Sequence, residues 1–89
     1  VTEYSLSQNY PNPFNPSTNI KYQIIKNNSN VLLCVYDVTG RLIAELVNQK
    51  QSAGTYSIDW DASAYPSGVY FYSLLTENFK ETKKMILLK

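Results

Sequence analysis

No histidine occurs anywhere in this chain of 89 residues, and there is a single cysteine, Cys34. The first absence removes the commonest general base and the usual activator of a nucleophilic serine or cysteine. The second rules out an internal disulfide. Only three glycines are present. None sits in a phosphate-cradling loop, and no Cys/His spacing fits zinc. Charge is scarce: Asp, Glu, Lys and Arg make up 17% of the residues, with a net charge of +1. That balance leaves no electrostatic footprint for a nucleic acid. No run approaches the ~18 apolar residues of a membrane-spanning helix. The opening "VTEYSLSQ" has neither the basic start nor the apolar stretch of a secretory signal. The expectation is a chain with no catalytic site, no cofactor, no metal, no nucleic-acid partner and no membrane insertion.

What is abundant is the material of β-sheets. Hydrophobic residues reach 44% and aromatics 13%, and eight of the aromatics are tyrosine. Tyrosine suits half-buried sheet surfaces, because the ring packs while the hydroxyl finds a polar partner. The length allows one domain with one modest core.

Strand patterns run through the chain. Ile20, Tyr22 and Ile24 alternate with Lys21 and Gln23, a half-buried strand. "KNNSN" (26–30) is a polar turn cluster. "VLLCVYD" (31–37) is apolar on both faces, as a central strand is. "DVTG" fits a type I turn, with Gly40 free to take positive φ. "RLIAELV" (41–47) returns as the hairpin partner, and "NQKQSAG" (48–54) reads as a loop. "TYSIDW" (55–60) puts Tyr56, Ile58 and Trp60 on one face. "DASAYPSG" is a turn region, "VYFYSLL" (69–75) is strongly β, "TEN" turns the chain, and "FKETKKMILLK" (79–89) closes it. With a short strand near residues 4–8, about seven strands emerge and no helix. The fold class is all-β: a small immunoglobulin-like antiparallel β-sandwich. Cys34, in mid-strand, reads as a buried small hydrophobe.

Pro11, Pro13 and Pro16 crowd one segment, "NYPNPFNPST" (9–18). Proline lacks the backbone donor and biases its predecessor toward extended geometry. The segment is expected to run stiff and extended outside the ladder, with Tyr10 and Phe14 covering one open end of the core. A proline-rich ligand for another protein is the functional alternative.

Candidate chemistry is thin. Asp59 and Asp61 flank Trp60 and share a strand face, roughly 6–7 Å apart, but lie opposite the apolar side. Asp61 is expected to fix the following turn through its carboxylate. Calcium would need further acidic ligands nearby. Asn27 opens a formal glycosylation sequon. Tyr70 and Tyr72 alternate with Val69 and Phe71, so one set faces out; outward tyrosines would form a stripe for a sugar or a protein. "ETKKMILLK" (81–89) combines an apolar run with basic flanks, and an edge strand of this kind can pair with another protein by main-chain hydrogen bonds.

Several stretches together resemble the type IX secretion system C-terminal sorting domain, type A. "LSQNYPNPFNPST" (6–18) resembles its opening, "VYDVTGRLIAELV" (35–47) its second hairpin, and "AGTYSIDWDAS" (53–63) the next strand and turn. "PSGVYFYSL" (66–74) resembles its Pro-x-Gly-x-Tyr motif, on Pro66, Gly68 and Tyr70. "KKMILLK" resembles its terminal Lys-rich apolar motif, on Lys83, Lys84, Met85, Ile86, Leu87, Leu88 and Lys89. The resemblance implies a small immunoglobulin-like sandwich without enzyme activity, standing behind a cargo domain. Its implied partners are the outer-membrane translocon, shuttle proteins and a sortase-like cysteine protease that removes the domain near its start. The cargo then reaches the medium or the surface of a double-membraned bacterium by way of the periplasm. Residues 6–89 would form the domain and residues 1–5 a linker. Translocon recognition is assigned to residues 83–89, while Pro66, Gly68 and Tyr70 have a structural reading beside the functional one.

Two rivals stand beside this reading. An accessory module binding carbohydrate or protein on a Tyr70/Tyr72 face needs exposed, coplanar rings. A passive spacer needs a neighbour on both sides, and a chain ending at Lys89 argues against it.

Overall fold

The computed structural model describes residues 3–89. Residues 1 and 2 of the expected linker lie outside the described residues. Among the described residues seven strands follow one another: β1 (Ser5–Leu6), β2 (Ser17–Ile24), β3 (Ser29–Tyr36), β4 (Leu42–Gln51), β5 (Gly54–Asp61), β6 (Gly68–Leu75) and β7 (Lys80–Leu87). They form two antiparallel sheets, β1-β2-β5 and β4-β3-β6-β7. This is the small immunoglobulin-like sandwich that the strand pattern implies.

Period-two burial explains which residues meet between the sheets. Ile20, Tyr22 and Ile24 face in from β2, Val31, Leu33 and Val35 from β3, Tyr70, Tyr72 and Leu74 from β6, and Met85 and Leu87 from β7; all are buried. The central position of β3, between β4 and β6, accounts for its apolar character on both faces. Cys34 points away from Leu33 and Val35 yet is buried, and burial, then the charge of Glu45, pushes its thiol up. It is a packed thiol, not an activated one.

The "DVTG" turn is built by Asp37. Its Oδ1 accepts from the Thr39 and Arg41 backbone N–H groups at 2.9 and 3.0 Å, and Gly40 sits at φ 88°. These bonds, with that from the Thr39 hydroxyl first, hold the Asp37 carboxyl below its usual value.

Three boundaries differ from the pattern-based reading. Residues 48–51, expected in a loop, continue β4: Asn48 pairs with Leu32, Gln49 with Val31, Lys50 with Asn30 and Gln51 with Ser29. Backbone groups make the ladder, and on an edge strand polar side chains stay in water, so hydropathy did not mark this end. Tyr4 and Ser5, given both to the linker and to the short strand near residues 4–8, follow the strand reading. Tyr4 stacks on Phe79 with centroids 5.3 Å apart, and Ser5 pairs with Gln23. The proline segment is not an extended run outside the ladder. Its backbone joins both sheets: Tyr10 exchanges two hydrogen bonds with Asn19 of β2, at 2.9 and 3.0 Å, and Phe14 bridges Leu87 of β7 in parallel. The Tyr10-Pro11, Asn12-Pro13 and Asn15-Pro16 bonds are cis. Phe14 closes the core as expected, at 1% exposure, but Tyr10 is 81% exposed and covers nothing. Pairing of the Tyr10 backbone with β2 leaves its ring on the solvent side.

Buried polar groups fix this segment. The Asn9 side-chain amide donates to Thr18 Oγ1 (3.0 Å) and to the Pro11 carbonyl (3.2 Å). The Tyr72 hydroxyl accepts from the Asn9 backbone N–H (2.8 Å) and donates to the Ser7 carbonyl (2.6 Å). One phenol from the four-stranded sheet thus ties down the chain that leads into the prolines.

Candidate functional site

Three motifs far apart in sequence meet at one end of the sandwich. The β6–β7 register places Gly68 opposite Leu87, Val69 opposite Ile86, Tyr70 opposite Met85 and Phe71 opposite Lys84. The Pro-x-Gly-x-Tyr motif and the terminal motif are therefore cross-strand neighbours. The opening segment reaches the same place through Phe14 and Leu87.

The spacing of Pro66, Gly68 and Tyr70 has a local cause. The Tyr70 hydroxyl donates to the Pro66 carbonyl at 2.6 Å, closing the motif on itself. Gly68 between them stands at φ 155°, where a side chain is disfavoured, although an added Cβ would meet nothing within 4 Å. Burial pushes the Tyr70 hydroxyl up, with smaller contributions from Asp37 and Tyr65. The Tyr70 ring rests edge-on against Trp60 (6.0 Å), which also contacts Tyr65 (5.6 Å) and Phe14 (5.9 Å). This aromatic cluster floors the end of the sandwich. Asp61 fixes the intervening turn as its position predicts, accepting from the Ser63 N–H at 2.9 Å. That bond, more than the others it makes, holds its carboxyl below the usual value. Asp59 accepts from Asn19 Nδ2 at 2.8 Å on the exposed face.

β7 divides the terminal motif into two sets. Met85 and Leu87 are fully buried in the core. Lys84, Leu88 and Lys89 are exposed, and Ile86 is half-buried. Lys83 is half-buried and pairs with Glu81 at 3.2 Å. The Lys89 backbone N–H donates to Ser67 Oγ (2.9 Å), and its ammonium donates to the Ser63 carbonyl (2.5 Å). The motif is thus fastened to the loop that carries Pro66 and Gly68. Asn12, whose Oδ1 accepts from the Ile86 N–H at 3.0 Å, was not singled out in the sequence, nor were Ser63 and Ser67, since contacts made across many residues leave no local pattern.

The tyrosine stripe is overturned. Tyr70 is 5% and Tyr72 0% exposed, because each hydroxyl finds a partner inside; Val69 and Phe71 are the outward set. Without that face the carbohydrate-binding alternative loses its site. A depression of about 520 Å³ lined by Asn30, Lys50, Leu75 and Glu77 lies at the far end of β6 from the motifs.

A family model described as "Secretion system C-terminal sorting domain" matches residues 8–88. The chain belongs to this family. No curated protein matches it. The family is the C-terminal sorting signal of type IX secretion, and a non-catalytic signal role fits the chain. Family membership implies attachment to a cargo, interaction with the type IX machinery, and a secreted or cell-surface protein. The match runs from Gln8 to Leu88, so it overlaps all three motifs that meet at this end and leaves out Leu6, Ser7 and Lys89.

Proposed function

We propose that the type IX translocon reads the folded domain at the end where the three motifs converge. Lys84, Ile86, Leu88 and Lys89 would present the recognised surface, and Lys83 would add charge at its margin. Met85 and Leu87 would act by holding β7 in place, as would Pro66, Gly68 and Tyr70. The observation that carries this reading is the division of β7: alternate residues of one motif are core and surface. A signal of this kind exists only on a folded chain. Apolar Leu88 at 54% exposure beside two cationic side chains offers a contact with orientation.

Shuttle proteins that carry the cargo after translocation would meet the same domain. A sortase-like cysteine protease would then cut ahead of Tyr4, since Tyr4 and Ser5 are held by stacking and strand pairing. Cargo release or surface attachment follows that cut.

The test is a periplasmic fluorescent reporter fused to this chain, in a host with the type IX machinery and in the same host without its translocon. Reporter in the medium or on the surface of the first host alone supports the proposal. Equal periplasmic retention of intact fusion in both refutes it.

A further inference from the structure

The outward edge of β7 is already occupied. Gln8 Nε2 donates to the Lys84 carbonyl (2.8 Å), and the Ile86 N–H donates to Asn12 Oδ1 (3.0 Å). The Phe14 N–H donates to the Ile86 carbonyl (2.9 Å), and the Leu88 N–H donates to the Phe14 carbonyl (3.0 Å). These are the groups that an incoming strand would use in main-chain pairing. A partner cannot add to this edge while residues 8–14 lie on it.

The arm is an imperfect strand. A regular strand would satisfy that edge with its own backbone. Here one residue, Phe14, supplies backbone groups, and two exposed side chains, Gln8 and Asn12, stand in for the rest. Exposed side-chain amides lose more freedom on binding than a backbone already in extended form. Phe14 is the buried residue that anchors the arm against β7, set against Trp60, while buried Asn9 holds the start of the arm through Tyr72 and Thr18.

We infer that residues 8–14 are a resident competitor for the docking edge of β7, displaced when an extended segment of the secretion machinery pairs with Lys84, Ile86 and Leu88. This rests on the proposed reading and adds a gate to it. With the arm closed, the β7 edge is protected against pairing with unrelated strands. With the arm open, the edge is a template. The entering segment runs parallel to β7, as Phe14 does, and brings a large apolar side chain to the place Phe14 leaves; a small one would leave a cavity against Trp60.

Asn12 gives the test, because it is exposed and its Oδ1 serves only as an acceptor here. Asn12→Ala removes the acceptor; Asn12→Asp keeps the shape and makes it anionic, which strengthens the bond. Amide hydrogen exchange at Ile86 should rise about 5- to 10-fold in Asn12→Ala and fall several-fold in Asn12→Asp, with exchange at Leu33 unchanged. In pulse–chase export of the reporter fusion, Asn12→Ala should leave the periplasm faster than the parent and Asn12→Asp slower. Exchange at Ile86 that ignores both substitutions overturns the arm as a clasp. Exchange that moves while export does not, or moves the opposite way, overturns it as a gate. Failure of the parent fusion to be exported is a different result, and it refutes the sorting reading itself.

Discussion

Replacing Tyr72 by phenylalanine tests how the opening segment is held. The side chain is 0% exposed, and its hydroxyl bonds the Ser7 carbonyl at 2.6 Å and the Asn9 N–H at 2.8 Å. Phenylalanine keeps the ring and the packing, so no cavity term arises. Ser7 is exposed and its carbonyl can turn to water. Asn9, at 2% exposure, cannot offer its N–H elsewhere. A buried donor left unpaired costs about 1–3 kcal/mol. A central figure of ~2 kcal/mol is large against the roughly 4–13 kcal/mol expected for a chain of this size. For a domain of this length it lowers Tm by about 8–16 °C. The assay is thermal unfolding followed by Trp60 fluorescence, with amide exchange read at Asn9. Tyr22→Phe is the control, since its hydroxyl bonds the Gln51 side chain at 2.9 Å, nearer to solvent. A Tm loss under about 3 °C for Tyr72→Phe, or unchanged exchange at Asn9, would refute the claim that this phenol anchors the segment.

Further outcomes follow from the same geometry. Burial, opposed by the Asn9 bond, pushes the Tyr72 hydroxyl up to about 12, and Tyr22 and Tyr70 shift the same way. Folding therefore favours the protonated phenol. Its stabilisation is complete below the ordinary value near 10 and lost toward 12, at about 1.4 kcal/mol per pH unit for Tyr72. Urea unfolding at pH 8, 10 and 11 checks this, and a flat profile contradicts it. Gly68→Ala should cost about 1–3 kcal/mol through backbone strain alone, given the open space around it; unchanged urea stability would show that the loop relaxes. Phe14→Ala should cost about 3–5 kcal/mol and raise proteolysis within residues 8–14, whereas equal protection would deny Phe14 its role as anchor.

Most of the fold was legible because half-buried strands alternate. The β2 pattern of Ile20, Tyr22 and Ile24, the two-faced β3 and the Asp37–Gly40 turn follow from period and turn chemistry. The polar end of β4 was not legible, since Asn48 to Gln51 pair through backbone while the Asn48, Gln49 and Lys50 side chains stay wet. Nor was the inward choice of Tyr70 and Tyr72. Alternation shows two sets without saying which one faces in, and here the hydroxyl partners at Pro66, Ser7 and Asn9 decide. The candidate site was legible as motifs but not as a place. Only the register Gly68–Leu87 and the Phe14–Leu87 bridge bring the three together. The split of residues 83–89 into core and surface also changes how the motif must be tested. Deleting all seven would remove Met85 and Leu87 from the core, and the truncated chain is expected to unfold.

The most direct measurement is therefore export of the reporter fusion carrying Lys84→Ala, Leu88→Ser and Lys89→Ala together, against the unaltered chain. These side chains are exposed, so the core is untouched. The variant is expected to accumulate in the periplasm, with the Tyr72-anchored segment still protected from exchange, while the parent reaches the medium or the surface. Export of the folded variant at the parental rate would contradict the proposed recognition surface and place recognition elsewhere on the domain.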